Sequence, residues 1–423
     1  MIAKVARFEY PNDWYVPRTA LRPLLTESRP DAVSTTIDAI RTSSQQNDAA
    51  RLARALLILL NIVKELATGR LQRTRQTLQA ATPEILSVLG MIYVERIKQW
   101  QPALENGQQN AALLDFMGAS LLSIKILRRL LIAGYDFPNR NSEVHDFWSL
   151  TFNQVDSFIT LISRQAQLGL ASEFTLLVEK HLLQLSKLHL EMAKTHPAAF
   201  VLLPNSLDLV RAYWGLIKQY AKSFGSKQAV VSNGTKDGGD GSDDRPVLEK
   251  LSLKGLLLIR ACIKMVFSPA QTFRYRHPQE KEEKGQAETA VRENLLSRSF
   301  VEDIMNVTVT KFFVIREAEL HEWTEDPEEW ESKEESESEG FEFSIRPCAE
   351  KLFLDVALNY KDILVGPLLQ VFANVASKYS HLQPNLSTIL INTSNQQRRH
   401  TLQGLGILCH WSIGRCRAST TRL

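Results

Sequence analysis

The chain contains 423 residues, of which 44% are hydrophobic and 23% are charged, and its formal net charge at neutral pH is +3. This composition supplies enough apolar surface for a large core, and it excludes a wholly disordered chain. Nineteen Gly and sixteen Pro are too few for an architecture with frequent tight turns. Because the apolar stretches are rich in strong helix formers such as Leu, Ala, Gln and Glu, the sequence predicts an all-α protein.

Apolar residues recur every three or four positions along most of the chain, which is the spacing of one helix face. The clearest helix is predicted from Arg51 to Ala67, and another from Asn110 to a stop at Gly134. The triplet Thr82-Pro83-Glu84 has the residues of a helix start, namely a capping hydroxyl, a proline at the first position and an acid in the first turn. Further helices are predicted over 143–163, 172–193, 197–223, 247–267, 287–313, 346–360 and 362–377.

The predicted helices recur as pairs at intervals close to those of an armadillo or HEAT unit. Each pair has two apolar faces that it buries by stacking on its neighbours, so we predict an α-solenoid of HEAT-type antiparallel helix pairs. An ordinary helix bundle is the alternative. The solenoid is expected over 1–225 and 247–378. Between them the Gly, Asp and Ser residues of 226–246 predict a disordered surface loop, and an irregular tail follows over 379–423.

Membrane and redox signals are weak in this sequence. No uncharged apolar run is long enough to span a membrane, and the first residues lack the apolar core of a signal peptide. We therefore expect a soluble, intracellular protein without membrane insertion. The cysteines form no CxxC pair, so reduced thiols are expected at Cys262, Cys348, Cys409 and Cys416.

Motifs for covalent chemistry are missing from the sequence. It contains neither the phosphate-binding Walker A loop nor the nucleophile elbow of hydrolases. The segment 321–325 is close to the zinc-protease motif HExxH, but Glu325 replaces the second His. A group in the tail has residue types that bind zinc but matches no finger spacing: His400, Cys409, His410 and Cys416. We predict no catalytic site, no metal site and no cofactor.

Basic residues form clusters on the predicted helices. One cluster contains Lys64, Arg70, Arg73 and Arg75, and the other contains Lys125, Arg128 and Arg129. Such clusters can neutralise nucleic acid, form a solvated helix face or meet an acidic protein. Since no aromatic residue is interleaved with them for base stacking, direct nucleic-acid binding is not expected.

An acidic segment interrupts this basic protein. Residues 317–340 contain twelve acidic residues and one Lys. Their mutual repulsion predicts an extended loop over 317–342 unless a basic surface neutralises it. Trp323 and Trp330 lie within the segment, although exposed indoles are uncommon. They either dock on neighbouring helices or anchor a partner.

Several motifs resemble the importin-beta (karyopherin) superfamily. The residues 8–14, which read FEYPNDW, are similar to an inter-helix motif of that superfamily. The segments 323–330 (WTEDPEEW) and 343–353 (FSIRPCAEKLF) are similar to a pair of motifs in the importin-eleven branch. The segments 63–71 and 122–130 also resemble helices of that branch. The likeness extends from the first residue to about residue 375.

The resemblance implies a HEAT-repeat nuclear transport receptor that binds Ran-GTP, protein cargo and phenylalanine-glycine nucleoporins. It implies a monomer that shuttles between nucleus and cytoplasm through the nuclear envelope, and no enzyme activity. An acidic inter-helix loop in this superfamily can touch Ran or compete with basic cargo. The residues to which that role is carried over are Glu322, Trp323, Asp326, Glu328, Glu329 and Trp330.

Superfamily members are longer at both ends. The sequence is therefore expected to be a fragment that lacks the N-terminal repeats and the C-terminal half, with a gene-model artefact after about residue 377. The alternative function is a HEAT-type scaffold for a protein complex with no transport role.

Overall fold

The computed structural model describes residues 32–69, 71–224, 245–267, 278–314, 317–332 and 340–380. Within these residues every regular element is helical. The chain divides into two compact units. Unit 1 contains Met1–Tyr220 and Val230–Leu295, and unit 2 contains Ala221–Ala229 and Leu296–Leu423.

Some sequence predictions lie outside the described residues. They are the aromatic motif at 8–14, the Gly/Asp/Ser loop over 226–244, the position of Arg70, and the tail beyond 380 with its His and Cys residues.

The helices that begin in unit 1 and lie in the described residues are α1 (Ala32–Gln45), α2 (Ala49–Thr68), α3 (Gln72–Glu105), α4 (Ala111–Ala133), α5 (Ser142–Ser163), α6 (Gln165–Leu168), α7 (Ser172–Thr195), α8 (Pro197–Leu202), α9 (Ser206–Ser223), α10 (Val247–Phe267) and α11 (Pro278–Ala290). A 3₁₀ turn at Pro138–Arg140 precedes α5, and a π-helical turn at Val291–Leu295 follows α11.

These helices stack as pairs in two layers. In the second layer α2 packs on α4, α4 on α7, and α7 on α10. In the first layer α1 packs on α3, α3 on α5, and α8 on α11. Successive helices join the layers through the pairs α1 with α2, α3 with α4, and α5 with α7. Each pair thus buries its faces against adjacent pairs, as the predicted α-solenoid requires, and that prediction is confirmed.

The apolar stripe on α2 explains why this helix packs as it does. Leu56, Leu59 and Val63 have no exposed surface, as their spacing predicts. Burial of each such side chain contributes about 1.5–3 kcal/mol to the free energy of folding. The predicted start of α4 is also confirmed, because the side chain of Asn110 accepts a hydrogen bond from the backbone N–H of Leu113 at 3.0 Å.

The predicted helix start at Thr82 is wrong. Helix α3 begins at Gln72 and continues through Pro83. Thr82 is fully buried, and its hydroxyl donates a hydrogen bond to the carbonyl oxygen of Leu78 at 2.7 Å. It also packs so closely on Gly134 that a Cβ at position 134 would clash with it. The hydroxyl therefore serves the contact between α3 and α4 instead of a helix cap.

Helix α3 is long and apolar enough to be a candidate membrane span by length and composition. It is the one such helix among the described residues. Its apolar side chains pack on α4 and α5, and it also buries Arg96 and Thr82. Because buried core helices of soluble proteins pass the same test, we interpret α3 as a core helix.

Two other predicted helices are interrupted. The segment 197–223 is divided by Leu203, Pro204 and Asn205, because the residue before a proline avoids the helical conformation and Asn205 has a left-handed φ of 58°. The helix predicted over 287–313 begins earlier, at Pro278, and stops before Ser297. The Ser297 side chain caps the next helix by accepting a hydrogen bond from the backbone N–H of Phe300 at 3.4 Å.

The helices of unit 2 in the described residues are α12 (Arg298–Val307), α13 (Glu317–Glu325), α14 (Ile345–Asn359) and α15 (Lys361–Ser380), with a π-helical turn at Thr308–Phe312 and a helical segment over 327–332. Helix α12 packs on α14 and α15, which also contact each other. Cys348, Leu352 and Val356 supply the buried face of α14. The helix pair predicted over 346–360 and 362–377 is therefore confirmed to within a few residues.

Candidate partner-binding surfaces

The acidic segment of unit 2 is helical where the structure describes it. Helix α13 ends at Glu325, and a second helical segment covers 327–332. The extended conformation that charge repulsion predicts is therefore wrong for these residues. Glu favours helices, and the carboxylates lie at the surface, where water and salt screen their repulsion.

Asp326 and Pro327 explain how the second helical segment begins. The Asp326 carboxylate accepts a hydrogen bond from the backbone N–H of Glu329 at 2.9 Å, which is the contact of an N-terminal cap. Pro327 occupies the first helical position, where its fixed φ suits the helix and its missing N–H is not needed. The same Asp-Pro-Glu that carries the family resemblance thus has a local structural role.

The six site residues predicted from the sequence lie together on this short helical pair. Glu322, Asp326, Glu328 and Glu329 are exposed. Trp323 keeps 37% of its surface exposed, whereas Trp330 is half-buried. Both indoles pack partly on the protein, and Trp323 also presents an apolar surface among carboxylates.

No metal-binding constellation occurs in the part of the chain that the structure describes. No group of His, Cys, Asp and Glu side chains there could hold a metal ion. His321 Nδ1 and Glu325 Oε2 lie 3.4 Å apart on the surface of α13, which is an ordinary i,i+4 pair. The described cysteines, Cys262 and Cys348, are buried free thiols, and burial raises the pKa of Cys262 to about 12.

The described residues of the first basic cluster predicted from the sequence lie on two helices. Arg75 turns to Asp136, with its Nη2 atom 2.6 Å from the carboxylate Oδ1. Lys64 belongs to α2 and Arg73 to the first turn of α3. Neighbours in sequence are therefore separated by the turn between two helices.

Five cations from neighbouring second-layer helices form a larger basic surface. Lys64 lies on α2, Lys125 and Arg129 on α4, and Lys180 and Lys187 on α7. Since α4 packs between α2 and α7, these side chains come from adjacent helices of one layer. Lys64, Lys180 and Lys187 are exposed, whereas Lys125 and Arg129 are half-buried. We call these five residues the cationic ladder.

Lys125 lies at the centre of the ladder. Its pKa is lowered first by burial and then by the positive charges of Lys180, Lys64, Arg129 and Lys187. Every charge that shifts this pKa is therefore a cation, which means that the ammonium groups repel one another across the helices. The Arg129 guanidinium also donates a hydrogen bond to the Lys125 carbonyl oxygen at 2.6 Å, which holds these two residues close together.

One carboxylate is paired within this region. Glu191 on α7 forms an ion pair with Arg128 on α4. Burial, and then the charge of Arg128, lower the pKa of Arg129, and Glu191 opposes this shift. Within the basic cluster that the sequence predicted, the charge of Arg128 is thus paired, whereas Arg129 and Lys125 belong to the ladder.

A buried chain of polar side chains lies beneath the second-layer helices. The Trp100 indole N–H donates to Ser120 Oγ at 3.1 Å, and Ser120 Oγ lies 2.9 Å from His181 Nε2. His181 Nδ1 lies 2.7 Å from the Leu177 carbonyl oxygen, so this nitrogen carries the proton. These contacts connect α3, α4 and α7 and position the helices that carry the ladder.

A second buried network connects α5, α7 and α9. The Trp148 indole N–H donates to Ser206 Oγ at 3.0 Å. His189 lies 3.1 Å from both the Thr151 hydroxyl and the Tyr213 hydroxyl. Burial lowers the pKa of His181 to about 4 and that of His189 to about 3, so both rings are neutral at physiological pH.

Comparisons with known proteins find that the chain is similar to importin-beta-like proteins. No protein-family model matches it. It is similar to the importin beta-like protein KAP120 of Saccharomyces cerevisiae, with 28% identity over 380 residues that cover 90% of this chain and 33% of the relative. It is also similar to the importin beta-like protein kap113 of Schizosaccharomyces pombe, with 22% identity over 89% of this chain and 35% of the relative. Importin-11 of Homo sapiens is 24% identical over 88% of this chain and 33% of its own length.

The chain is also similar in fold to a solved structure of a nuclear transport receptor. The fold is similar to that of Lph2, described as a novel bidirectional nuclear transport receptor in S. cerevisiae. The TM-score is 0.69 and the identity 25%, over 89% of this chain and 33% of that chain. The chain spans about a third of the length of the curated relatives it matches. Over about nine tenths of its length, therefore, the homologues of this chain are importin-beta-like proteins, and the resemblance seen in its motifs is confirmed.

Proposed function

We propose that the chain is part of an importin-like nuclear transport receptor that binds Ran-GTP, protein cargo and phenylalanine-glycine nucleoporins and carries protein into the nucleus. The observation that supports this function is the likeness to importin-beta-like proteins over about nine tenths of the chain. The receptor would act as a monomer that shuttles between cytoplasm and nucleus through the nuclear envelope. It would work by binding and release, without covalent chemistry.

The proposed mechanism is a reciprocal coupling of binding sites. A stack of helix pairs has contacts mainly between neighbours, so small changes at each pair add up along the stack. If Ran-GTP and cargo favour different arrangements of the pairs, each ligand lowers the affinity for the other by the same factor. Ran-GTP would then release cargo in the nucleus.

The acidic segment is our candidate contact for Ran or a basic cargo. Its support is the exposure of Glu322, Asp326, Glu328 and Glu329 beside the exposed indole of Trp323. Carboxylates attract a basic partner from a distance, and an exposed tryptophan supplies the apolar anchor that binding hot spots commonly contain.

A nucleotide-dependent pull-down tests the proposed function. A hybrid receptor would be made in which residues 32–380 replace the matching region of KAP120, so that the segment is tested in a chain of full length. We expect the hybrid to retain Ran loaded with a non-hydrolysable GTP analogue and to release Ran-GDP. A folded hybrid that binds neither form, and whose fluorescent fusion stays excluded from nuclei, would contradict the transport role and favour the scaffold alternative.

Substitutions in the acidic segment test its proposed role. The variant Glu328→Gln/Glu329→Gln in the hybrid receptor should bind Ran-GTP or a basic cargo about tenfold more weakly at low salt, with a flatter salt dependence, because charge attraction has been removed. The control is Asp146→Asn/Glu173→Gln, which neutralises two exposed carboxylates of unit 1. Equal affinity of the segment variant and the control for both partners would exclude the segment as a contact.

The exposed indole can be tested separately. Trp323→Ala should weaken the same interaction by about tenfold, because binding hot spots commonly contain an exposed tryptophan. Trp330→Ala is the comparison, since its half-buried side chain should affect stability more than binding. If Trp323→Ala lowers stability and leaves binding intact, the indole serves to pin the segment.

A further inference from the structure

The lysines of the cationic ladder have no partner among the described residues. Lys64, Lys125, Lys180 and Lys187 form no ion pair there, in contrast to Arg128, whose charge is matched by Glu191. The side chains come from the packed helices α2, α4 and α7, and Arg129 is held beside Lys125 by its hydrogen bond. Folding thus concentrates like charges on one face without neutralising them.

Aliphatic surface lies next to these charges. Leu57 is 47% exposed and lies seven residues before Lys64 on α2, which places both on one helix face. Leu176 is 48% exposed and lies four residues before Lys180 on α7. Gly118 lies seven residues before Lys125 on α4, and a Cβ there would meet nothing within 4 Å. Each of these helices therefore presents a charged part and, one or two turns away, an apolar or open part.

We propose that the cationic ladder is a docking surface for an acidic protein segment, whose carboxylates pair with the lysines and whose aliphatic side chains cover Leu57 and Leu176. Charge complementarity supports the acidic partner, because the partner's carboxylates would relieve the repulsion among the ladder residues. The inference rests on the proposed function and deepens it, because it gives the chemistry of a protein partner for a surface other than the acidic segment.

A protein fits this surface better than a nucleic acid does. The large hydrophobic side chains that α2, α4 and α7 expose are aliphatic, so the face offers no aromatic ring for base stacking. Carboxylates spaced among aliphatic side chains match the alternation of charged and apolar surface.

Fluorescence anisotropy with the full chain tests the proposal. The probe is a labelled peptide in which glutamates alternate with leucines, and its controls are a peptide with Gln in place of Glu and a single-stranded oligonucleotide of equal charge. We expect the Glu peptide to bind at physiological salt and more tightly at low salt, and the Gln peptide to bind about tenfold more weakly or worse.

Charge-reversal variants then locate the site. Lys64→Glu/Lys187→Glu should weaken peptide binding about tenfold or more, and the matched control Arg73→Glu/Lys98→Glu on α3 should change it by about twofold or less. All four side chains are exposed. Leu57→Ala/Leu176→Ala should also weaken binding while leaving its salt dependence unchanged.

The outcomes separate the alternatives. Equal losses in the ladder variant and in the control would overturn the site, because binding would then follow net charge alone. An oligonucleotide that binds more tightly than the peptide at physiological salt would assign the face to nucleic acid and overturn the proposed partner. If Lys64→Glu/Lys187→Glu fails to fold, Lys64→Met/Lys187→Met removes the same charges without adding new ones. Loss of Ran binding with peptide binding intact would contradict only the proposed transport function.

Discussion

The cationic ladder of unit 1 and the acidic segment of unit 2 both crowd like charges, but they are supported differently. The ladder residues belong to long helices that are fixed by buried contacts, and Lys125 is itself half-buried. The acidic segment consists of short helical pieces in which residues 321–329 are all exposed. In the ladder, close packing holds repelling charges in place. In the acidic segment, helix propensity, a local cap and screening by solvent are sufficient to keep the carboxylates in helical segments.

The largest effect on the free energy of unfolding should come from a buried residue of a helix that carries the ladder. Leu127 is fully buried on α4, beside the basic residues of that helix. Leu127→Ala should lower the free energy of unfolding by about 2–5 kcal/mol, because it removes buried apolar contacts and leaves a cavity. In the acidic segment, Trp323→Ala should lower it by less than Leu127→Ala does, because 37% of the Trp323 surface is exposed. Urea-unfolding midpoints of both variants provide the measurement, and equal losses would remove the distinction between the two regions.

The next largest effect should come from acidification, which should lower the free energy of unfolding through the buried His181. Burial lowers the pKa of His181 to about 4, from a usual value of 6.5. Between these values the unfolded chain takes up a proton that the folded chain does not, so stability falls as the pH is lowered from about 6.5 toward 4. Over that range the loss from this residue should be on the order of 1–3 kcal/mol.

The variant His181→Gln isolates this effect. It removes the titrating group, so the unfolding free energy should depend less steeply on pH between about 6.5 and 4 than in the wild type. His321→Gln, which changes an exposed histidine in the acidic region, is the matched control substitution. An unaltered slope in His181→Gln would show that the buried histidine is not a source of acid sensitivity.

The smallest effect should be an increase in stability, in contrast to the losses above. Lys125→Met removes the half-buried charge at the centre of the ladder, and it should raise stability by up to about 1 kcal/mol at low salt because repulsion is relieved. Added salt should stabilise the wild type more than this variant. Glu328→Gln in the acidic segment should change stability by a few tenths of a kcal/mol at most. Thermal unfolding at two salt concentrations compares them, and a destabilised Lys125→Met would mean that the lysine has a favourable role in the folded chain.

Local signals in the sequence were enough to predict most helices. The end of α4 at Gly134 and its start at Asn110 are read correctly because the capping groups lie within a few residues of the helix end. Thr82 carries an equally good local signal for a helix start. Its side chain is nevertheless buried against Gly134, which is more than 50 residues away in the sequence. Its environment depends on how α3 and α4 pack, and no residue near Thr82 in sequence reveals that packing.

The partner-binding surfaces were predictable to different degrees. The acidic segment is contiguous, so composition and the WTEDPEEW motif located it directly. The ladder is assembled from α2, α4 and α7, and the sequence groups only Lys125 and Arg129 of its residues. Lys180 and Lys187 are isolated in sequence, and the pairing of Arg128 with Glu191 joins residues 63 positions apart. Such a surface follows from the stacking of helices and has no signature in any one of them.

The hydrogen-bonded chain from Trp100 through Ser120 to His181 has a mechanical consequence. An interface made only of apolar side chains allows neighbouring helices to slide by small amounts, since dispersion contacts are not directional. Here a slide between α3, α4 and α7 would separate donors from acceptors in a water-free interior, and each broken bond would cost roughly 1–3 kcal/mol. The register of these helices is therefore fixed, and the spacing between the lysines of the ladder is fixed with it. Any bending that the protein undergoes should be concentrated at helix pairs that lack such polar chains.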